Sequence, residues 1–262
     1  MTAILAKKMG ARQTIARVNN QEYLEEGQRE VFRELGVDSI ISPQELAAEE
    51  IYRLVSQCSF TDIFEFENGK INLVGITLDD YSPIVNKKIA EIDWQYRNLE
   101  PRAIALLRGH RTIIPRGDTM LRRGDHIYFT TRKENIDPLV NIVGKKKIKV
   151  RNVMILGGTD LGFATAKRLE KEYHVTLVES DKERCKHLSQ RLHNTLIING
   201  EPDNIDLLEE EGLPNMDAFV ALTPNSETNI IVSLTAKNHG VYKTIAQVEN
   251  KEYIHISQNI GV

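Results

Sequence analysis

From Asn152 onward, short apolar runs alternate with amphipathic stretches: NVMIL, FATAKRLEKEY, VTLVE, and later TLIIN and AFVALT. Apolar runs of about five residues between glycine or polar turns read as strands covered on both faces, and stretches with apolar residues three and four apart read as helices. Helical stretches at 204–212 and 226–238 follow the last two runs. Strands alternating with helices predict a parallel, doubly wound sheet with its ligand crevice at the C-terminal strand ends, where Gly200, Glu201 and Thr223 fall.

Between residues 69 and 144 the pattern changes. A strand (KINLVGITL) leads to a helix opened by Ser82-Pro83 (SPIVNKKIAEI), followed by three short strands, RAIALL, RTIIP and HIYFTT, and a helix over 135–143. This predicts a small α+β module with its own core. Ile84, Ile113 and Arg116 are candidates there for a small-molecule or dimer surface. A further helix is predicted after Pro43, where Leu46, Ile51, Leu54 and Val55 share a face.

The chain also repeats itself. Residues 6–24 (AKKMGARQTIARVNNQEYL) align without a gap to residues 236–254 (AKNHGVYKTIAQVENKEYI), an offset of 230, with 10 of 19 positions identical. Each copy reads as a helix end, a stopping glycine, a short β-branched strand and a polar turn. The second copy is preceded by a long strand–helix series and the first is not, while the first continues into an apolar run (DSIISP) that the second does not reach. The expectation is a piece of a longer protein that begins and ends inside domains. Its divisions are the end of a first strand–helix domain (1–58), the α+β module (59–144), a basic linker (145–151) and a second strand–helix domain lacking its last strand (152–262).

Composition narrows the function classes. A net charge of -3 and a pI near 6.2 disfavour a nucleic-acid partner, which needs a cationic face. No apolar run approaches the roughly 18 residues that span a bilayer, and the N-terminus lacks a signal pattern. A cytoplasmic protein, or one peripheral to a membrane, is expected. Cys58 and Cys185 have neither disulfide nor zinc spacing and are read as reduced. The run Lys145-Lys146-Lys147-Ile148-Lys149 is read as a solvated joint.

The turn GGTDLG between NVMIL and the following helix is the candidate site: Gly157, Gly158, Thr159, Asp160, Leu161 and Gly162. A glycine turn that opens a helix directs free N–H groups at a pyrophosphate, and an acid at the end of the next strand meets ribose hydroxyls. Glu179 stands in that place, 22 residues after Gly157, and a carboxylate there favours NAD(H), ADP or ATP over a 2′-phosphate. The middle glycine of the usual fingerprint is Thr159, whose branched Cβ is expected to crowd the phosphates.

Together VMILGGTDLG, VTLVESDKERC, TLIINGEPDNIDLLEEEGLPNMDAFVALTPNSETNIIVSLTAKNHG and the two TIA(R/Q)V(N/E)N segments resemble the TrkA and RCK (regulator of K⁺ conductance) nucleotide-binding domains, and residues 69–143 resemble the C-terminal module of that family. The resemblance implies α/β Rossmann units, the first truncated, flanking an α+β module. It further implies a homo-oligomeric cytoplasmic gating assembly that responds to NAD(H), ADP or ATP. Its partner would be a TrkH or TrkG type potassium-transport subunit, through which alone it meets the membrane. Carried over by position, Gly157, Gly158, Gly162 and Glu179 match nucleotide positions, and Ser180, Asp181 and Arg184 match the stretch after the acid. Gly200-Glu201 replaces the family's Gly-Asp pair, and Arg17 of the first copy is Gln247 in the second.

The rival readings are an NAD-dependent oxidoreductase and a ligand-sensing regulator of another transporter. No tyrosine has a lysine four positions on, no H-E-x-x-H or G-x-S-x-G occurs, and the seven histidines, His110 and His126 included, are scattered. Neither a catalytic residue nor a metal site is expected.

Overall fold

The computed structural model describes residues 1–19, 21–24, 26–56, 62–67, 69–95, 101–109, 111–145 and 149–260. Cys58 with the domain boundary expected there, His110, the Lys146–Ile148 part of the basic run, and Gly261–Val262 lie outside them. The chain divides into two units, one joining Met1–Tyr52 to Arg151–Val262 and the other holding Arg53–Val150. Among the described residues no helix is long and apolar enough to cross a membrane.

In the first unit, helix α1 (Thr2–Lys8) ends before Gly10, whose φ of +98 takes the left-handed region. Strand β1 (Ile15–Arg17), helix α2 (Glu26–Glu34) and strand β2 (Ser39–Ile41) follow, and β1 and β2 pair in parallel. Helix α3 (Pro43–Ser56) opens with proline in its first turn and with Ser42 Oγ accepting from Glu45 N. It is tied to the later part of the unit by Arg168 Nη2 on Glu45 Oε2 at 2.9 Å and by Tyr52 Oη, which donates to Glu172 Oε1 at 2.8 Å.

The second unit contains β3 (Asp62–Phe66), β4 (Ile71–Thr77), α4 (Ile89–Gln95), β5 (Arg102–Arg108), β6 (Arg111–Ile113), β7 (His126–Thr131) and α5 (Ile136–Val143). Its strands form an antiparallel sheet in the order β3-β4-β7-β5-β6. Val74, Ile76, Leu106, Ile127 and Phe129 on one face pack with Leu139, Val140 and Val143 of α5. The helix expected from Ser82 begins only at Ile89. Asn86 adopts φ +63, and the backbone around it is bonded to a neighbouring segment, Asn86 N to Leu121 O and Leu121 N to Lys87 O, so the helical ladder cannot start there. Ile84, read as a surface candidate, is 1% exposed and belongs to the core, whereas Arg116 is exposed and Ile113 half-buried. Buried Asp125 receives both Nε and Nη2 of Arg108 at 2.7 Å, and the Arg122 N–H at 2.8 Å.

The rest of the first unit runs β8 (Asn152–Leu156), α6 (Asp160–Leu169), β9 (His174–Glu179), α7 (Lys182–Arg191), β10 (Thr195–Asn199), α8 (Ile205–Glu210), β11 (Ala218–Ala221), α9 (Ser226–Asn238), β12 (Lys243–Ala246) and α10 (Lys251–Ile260). All five strands are parallel, ordered β10-β9-β8-β11-β12, so the winding reverses at β8. Val153 to Leu156 and Ala218 to Ala221 are wholly buried, as central strands covered on both faces require. The repeat reappears in three dimensions, since α9 also stops before a left-handed glycine, Gly240 at φ +96, and leads into β12 as α1 leads into β1.

Candidate functional site

The glycine turn lies at the C-terminal end of β8, where the winding reverses. Gly157 has φ +98, and its N–H donates to Val178 O at 2.8 Å. A Cβ on Gly157 would stand 2.9 Å from the backbone of Leu222 and Thr223. A Cβ on Gly158 would meet Leu188 Cδ1 at 2.5 Å, and one on Gly162 would meet Gly157 O at 2.0 Å. Backbone contacts therefore require glycine at 157 and 162, while at 158 a Cβ would displace the ends of the Leu188 and Glu179 side chains.

Thr159 does something the sequence reading missed. At φ −58 and ψ 173 it is the N-cap of α6, its Oγ1 accepting from Gly162 N and donating to Leu222 O, both at 3.1 Å. Placed so, it stitches the turn to the end of β11. The N–H groups of Asp160 and Leu161, in the first turn, have no intrahelical acceptor, and the helix dipole adds positive potential beside them. Asp160 Oδ1 accepts from Arg184 Nη2 at 2.8 Å, and Arg184 Nε donates to Gly158 O at 2.6 Å. Arg184 thus clamps the turn from α7.

Glu179, half-buried at the end of β9, accepts the Gly158 N–H on Oε2 at 2.7 Å and the Asp181 N–H on Oε1 at 2.8 Å, with Ser180 Oγ 3.4 Å away. A carboxylate oxygen can accept two hydrogen bonds and Oε2 has one, so capacity for a ligand hydroxyl remains there. Asp181 caps α7 by accepting Arg184 N at 2.8 Å. Gly200 N donates to Glu179 O at 3.0 Å, and a Cβ on Gly200 would lie 2.0 Å from Leu207 Cδ2. Glu201 is exposed at the start of the next loop, where its carbonyl accepts from Asn204 N. Cys185 is buried and free, and burial pushes its thiol pKa up.

Thr223 is buried, and its polar groups are bonded within the chain. Its N–H and Oγ1 both donate to Asn229 Oδ1, at 3.0 and 2.7 Å, while Asn229 Nδ2 donates to Thr223 O at 2.9 Å and to Gln247 O at 3.0 Å. Asn229, fully buried in α9, locks the loop after β11 to the end of β12. Beyond Thr223 opens a cleft of about 570 Å³ whose walls include Pro202, Pro224, Glu227, Glu249 and Tyr253. The structure thus gathers residues 157–162, Glu179, Ser180, Asp181 and Arg184 into one hydrogen-bonded group, and Gly200 and Thr223 adjoin it through backbone. Of these residues the sequence reading named Thr223 but neither Asn229 nor the rest of the cleft lining.

Comparison with known proteins follows the same lines. The TrkA-C domain family matches residues 73–144, and the TrkA-N domain family matches residues 153–262. The chain is 34% identical over 265 residues to the Trk system potassium uptake protein TrkA homolog of Archaeoglobus fulgidus, covering 100% of this chain and 59% of that protein. It is 31% identical over 244 residues to the Trk system potassium uptake protein TrkA of Halomonas elongata, covering 93% and 53%. It therefore spans a little over half the length of these relatives. Among solved structures, the GsuK channel aligns with a TM-score of 0.66 at 14% identity over 99% of this chain and 45% of its own, and the GsuK channel bound to NAD aligns with a TM-score of 0.64 at 16% identity. At such identities the likeness speaks for the fold.

Proposed function

The chain belongs to the TrkA family, and from that premise we propose that it is a nucleotide-responsive regulatory component of a Trk-type potassium transport system. One observation carries the nucleotide part, namely the Glu179 carboxylate held by the Gly158 N–H beside the open start of α6. That pairing sets a ribose acceptor next to an anion-favouring helix end at the strand reversal, where such folds bind dinucleotides. Asp160 and Leu161 N–H groups would meet the pyrophosphate, and Glu179 the adenosine ribose. The Thr159 hydroxyl is spent on Gly162 and Leu222, so the phosphates would meet the carbon atoms of its side chain and not its oxygen. The GsuK channel bound to NAD is a neighbour of the same fold with that ligand. NAD(H), ADP or ATP is the proposed ligand class.

The relatives are named as potassium uptake proteins of a Trk system, and a regulatory role within such a system needs no reacting group at the site. Bound nucleotide biases the placement of neighbouring Rossmann units in an oligomer, and that movement passes to a TrkH or TrkG type membrane subunit from the cytoplasmic side. Such a bias is limited to the ligand's difference in affinity between the two arrangements. Calorimetry with NAD⁺, NADH, ADP and ATP tests the site. Binding that is lost in Gly157→Val and weakened in Glu179→Ala is expected, whereas no heat with any nucleotide, or unchanged affinity in both variants, sinks it. Steady hydride transfer to a small substrate would replace the regulatory reading with an oxidoreductase.

A further inference from the structure

The chain holds two Asn-Gly pairs, at 68–69 and 199–200, and Asn68 lies outside the described residues. Asparagine before glycine readily loses its amide, because no Cβ hinders the glycine nitrogen as it approaches the side-chain carbon. We propose that Asn199-Gly200 is a deamidation site that the fold keeps shut through the asparagine's own amide, so that hydrolysis there follows opening of the β9–β10 end and then opposes its closing. No ligand enters this inference, and it stands apart from the nucleotide reading above.

In the first step the Gly200 nitrogen gives up its proton and bonds to Asn199 Cγ, the Cγ–Nδ2 bond breaks, and ammonia leaves a five-membered imide. Water then opens the imide at either carbonyl, giving aspartate or isoaspartate. Water is the sole co-reactant and has access, since β10 is an edge strand of its sheet and Asn199 is exposed. Three features oppose ring closure. Asn199 ends β10 and pairs with Glu179, and this extended backbone keeps the Gly200 nitrogen turned away from the side chain. The Gly200 N–H donates to Glu179 O at 3.0 Å. Asn199 Nδ2 donates to the same Glu179 oxygen at 3.0 Å and to Ser180 O at 2.8 Å, so the group that must leave is the one the structure holds. A carboxyl at 199 would lose both donated bonds and, once ionised, would set its oxygens against those two carbonyls. They begin the turn from β9 into α7, which would then lose this tie to β10.

Peptide mapping by mass spectrometry tests this on the full chain, held at mildly alkaline pH with and without denaturing guanidinium chloride, and follows Asn199 separately from Asn68. Loss of the Asn199 amide is expected to run roughly tenfold or more slowly in the folded chain, the size that two neutral hydrogen bonds and a paired strand give. Equal rates in the two states overturn the proposal. Asn199→Asp stands for the main product. Its urea midpoint is expected to lie below the parent's at neutral pH, and the deficit should shrink below about pH 4, where a protonated carboxyl can again donate to one carbonyl. A midpoint equal to the parent's, or a deficit that does not change with pH, overturns the proposal as well. Should Asn199→Asp fail to fold at neutral pH, the comparison of rates on the parent chain still decides.

Discussion

The Gly158 N–H donates to Glu179 Oε2 at 2.7 Å, so the turn after β8 and the last residue of β9 form one hydrogen-bonded piece. With the Asp181 N–H on the other oxygen, the carboxylate is oriented before any ligand arrives. Such preset acceptors spare a ligand the ordering that a free side chain would require.

Replacing Glu179 by alanine removes a charged acceptor from two backbone N–H groups. Unfolding free energy is expected to fall by about 1–3 kcal/mol in urea titrations, and ADP and NAD⁺ affinity to fall roughly tenfold or more by calorimetry. Glu179→Gln, with a single acceptor oxygen, should lie between the two.

Asn229→Ala leaves the N–H and hydroxyl of Thr223 and the Gln247 carbonyl without the partner they now share. Because Asn229 is fully buried, a loss of about 3 kcal/mol is expected, read as a lower urea midpoint. Asn229→Asp keeps the acceptor but loses both donated bonds, and should be destabilised as well.

In the α+β module, Arg108→Met would strand the Asp125 carboxylate, which is 1% exposed. About 3–5 kcal/mol of destabilisation is expected in thermal melts, and adding Asp125→Asn should recover part of it, since the uncompensated charge is the larger penalty.

His239 links the end of α9 to α8, its Nε2 2.6 Å from Glu209 Oε1 and its Nδ1 2.8 Å from Thr235 O. The Thr235 carbonyl first, and then Glu209, raise its pKa above 6.5. With the folded pKa raised, the stabilisation is fully present below about pH 6.5 and is lost as pH rises through the folded value. An NMR titration should place His239 above 6.5, and Glu209→Gln should bring it down.

What the sequence disclosed was local. The strands Asn152–Leu156 and Thr195–Asn199 were legible to the residue, because an apolar run and its bounding turns are contiguous. Thr159 was readable too, as an N-cap type immediately before a helix, but the glycine fingerprint drew it into a comparison about ligand contact instead. Strand β3 went unread before Gly69, because Ile63 and Phe64 stand side by side in DIFEF and break the alternation that marks a half-buried strand. The helix extrapolated from Ser82 failed because Asn86 and Lys87 are bonded to Leu121, 34 or more positions away. For the same reason Asn229 left no sign: its value lies in reaching Gln247 across the sheet end. The cleft joins residues from three separate loops, and no window of sequence contains it.

The left-handed glycines of the two repeat copies, Gly10 and Gly240, have a use of their own. Neither has any atom within 4 Å of where a Cβ would stand, so alanine at either place meets backbone strain alone, about 1 kcal/mol or slightly more. The strand that follows is one of two in the first case and one of five in the second. Identical chemistry in unequal surroundings turns the duplicated segment into an internal control: any difference between the two alanine variants reports how firmly each sheet holds its strand, with no second protein needed as a standard.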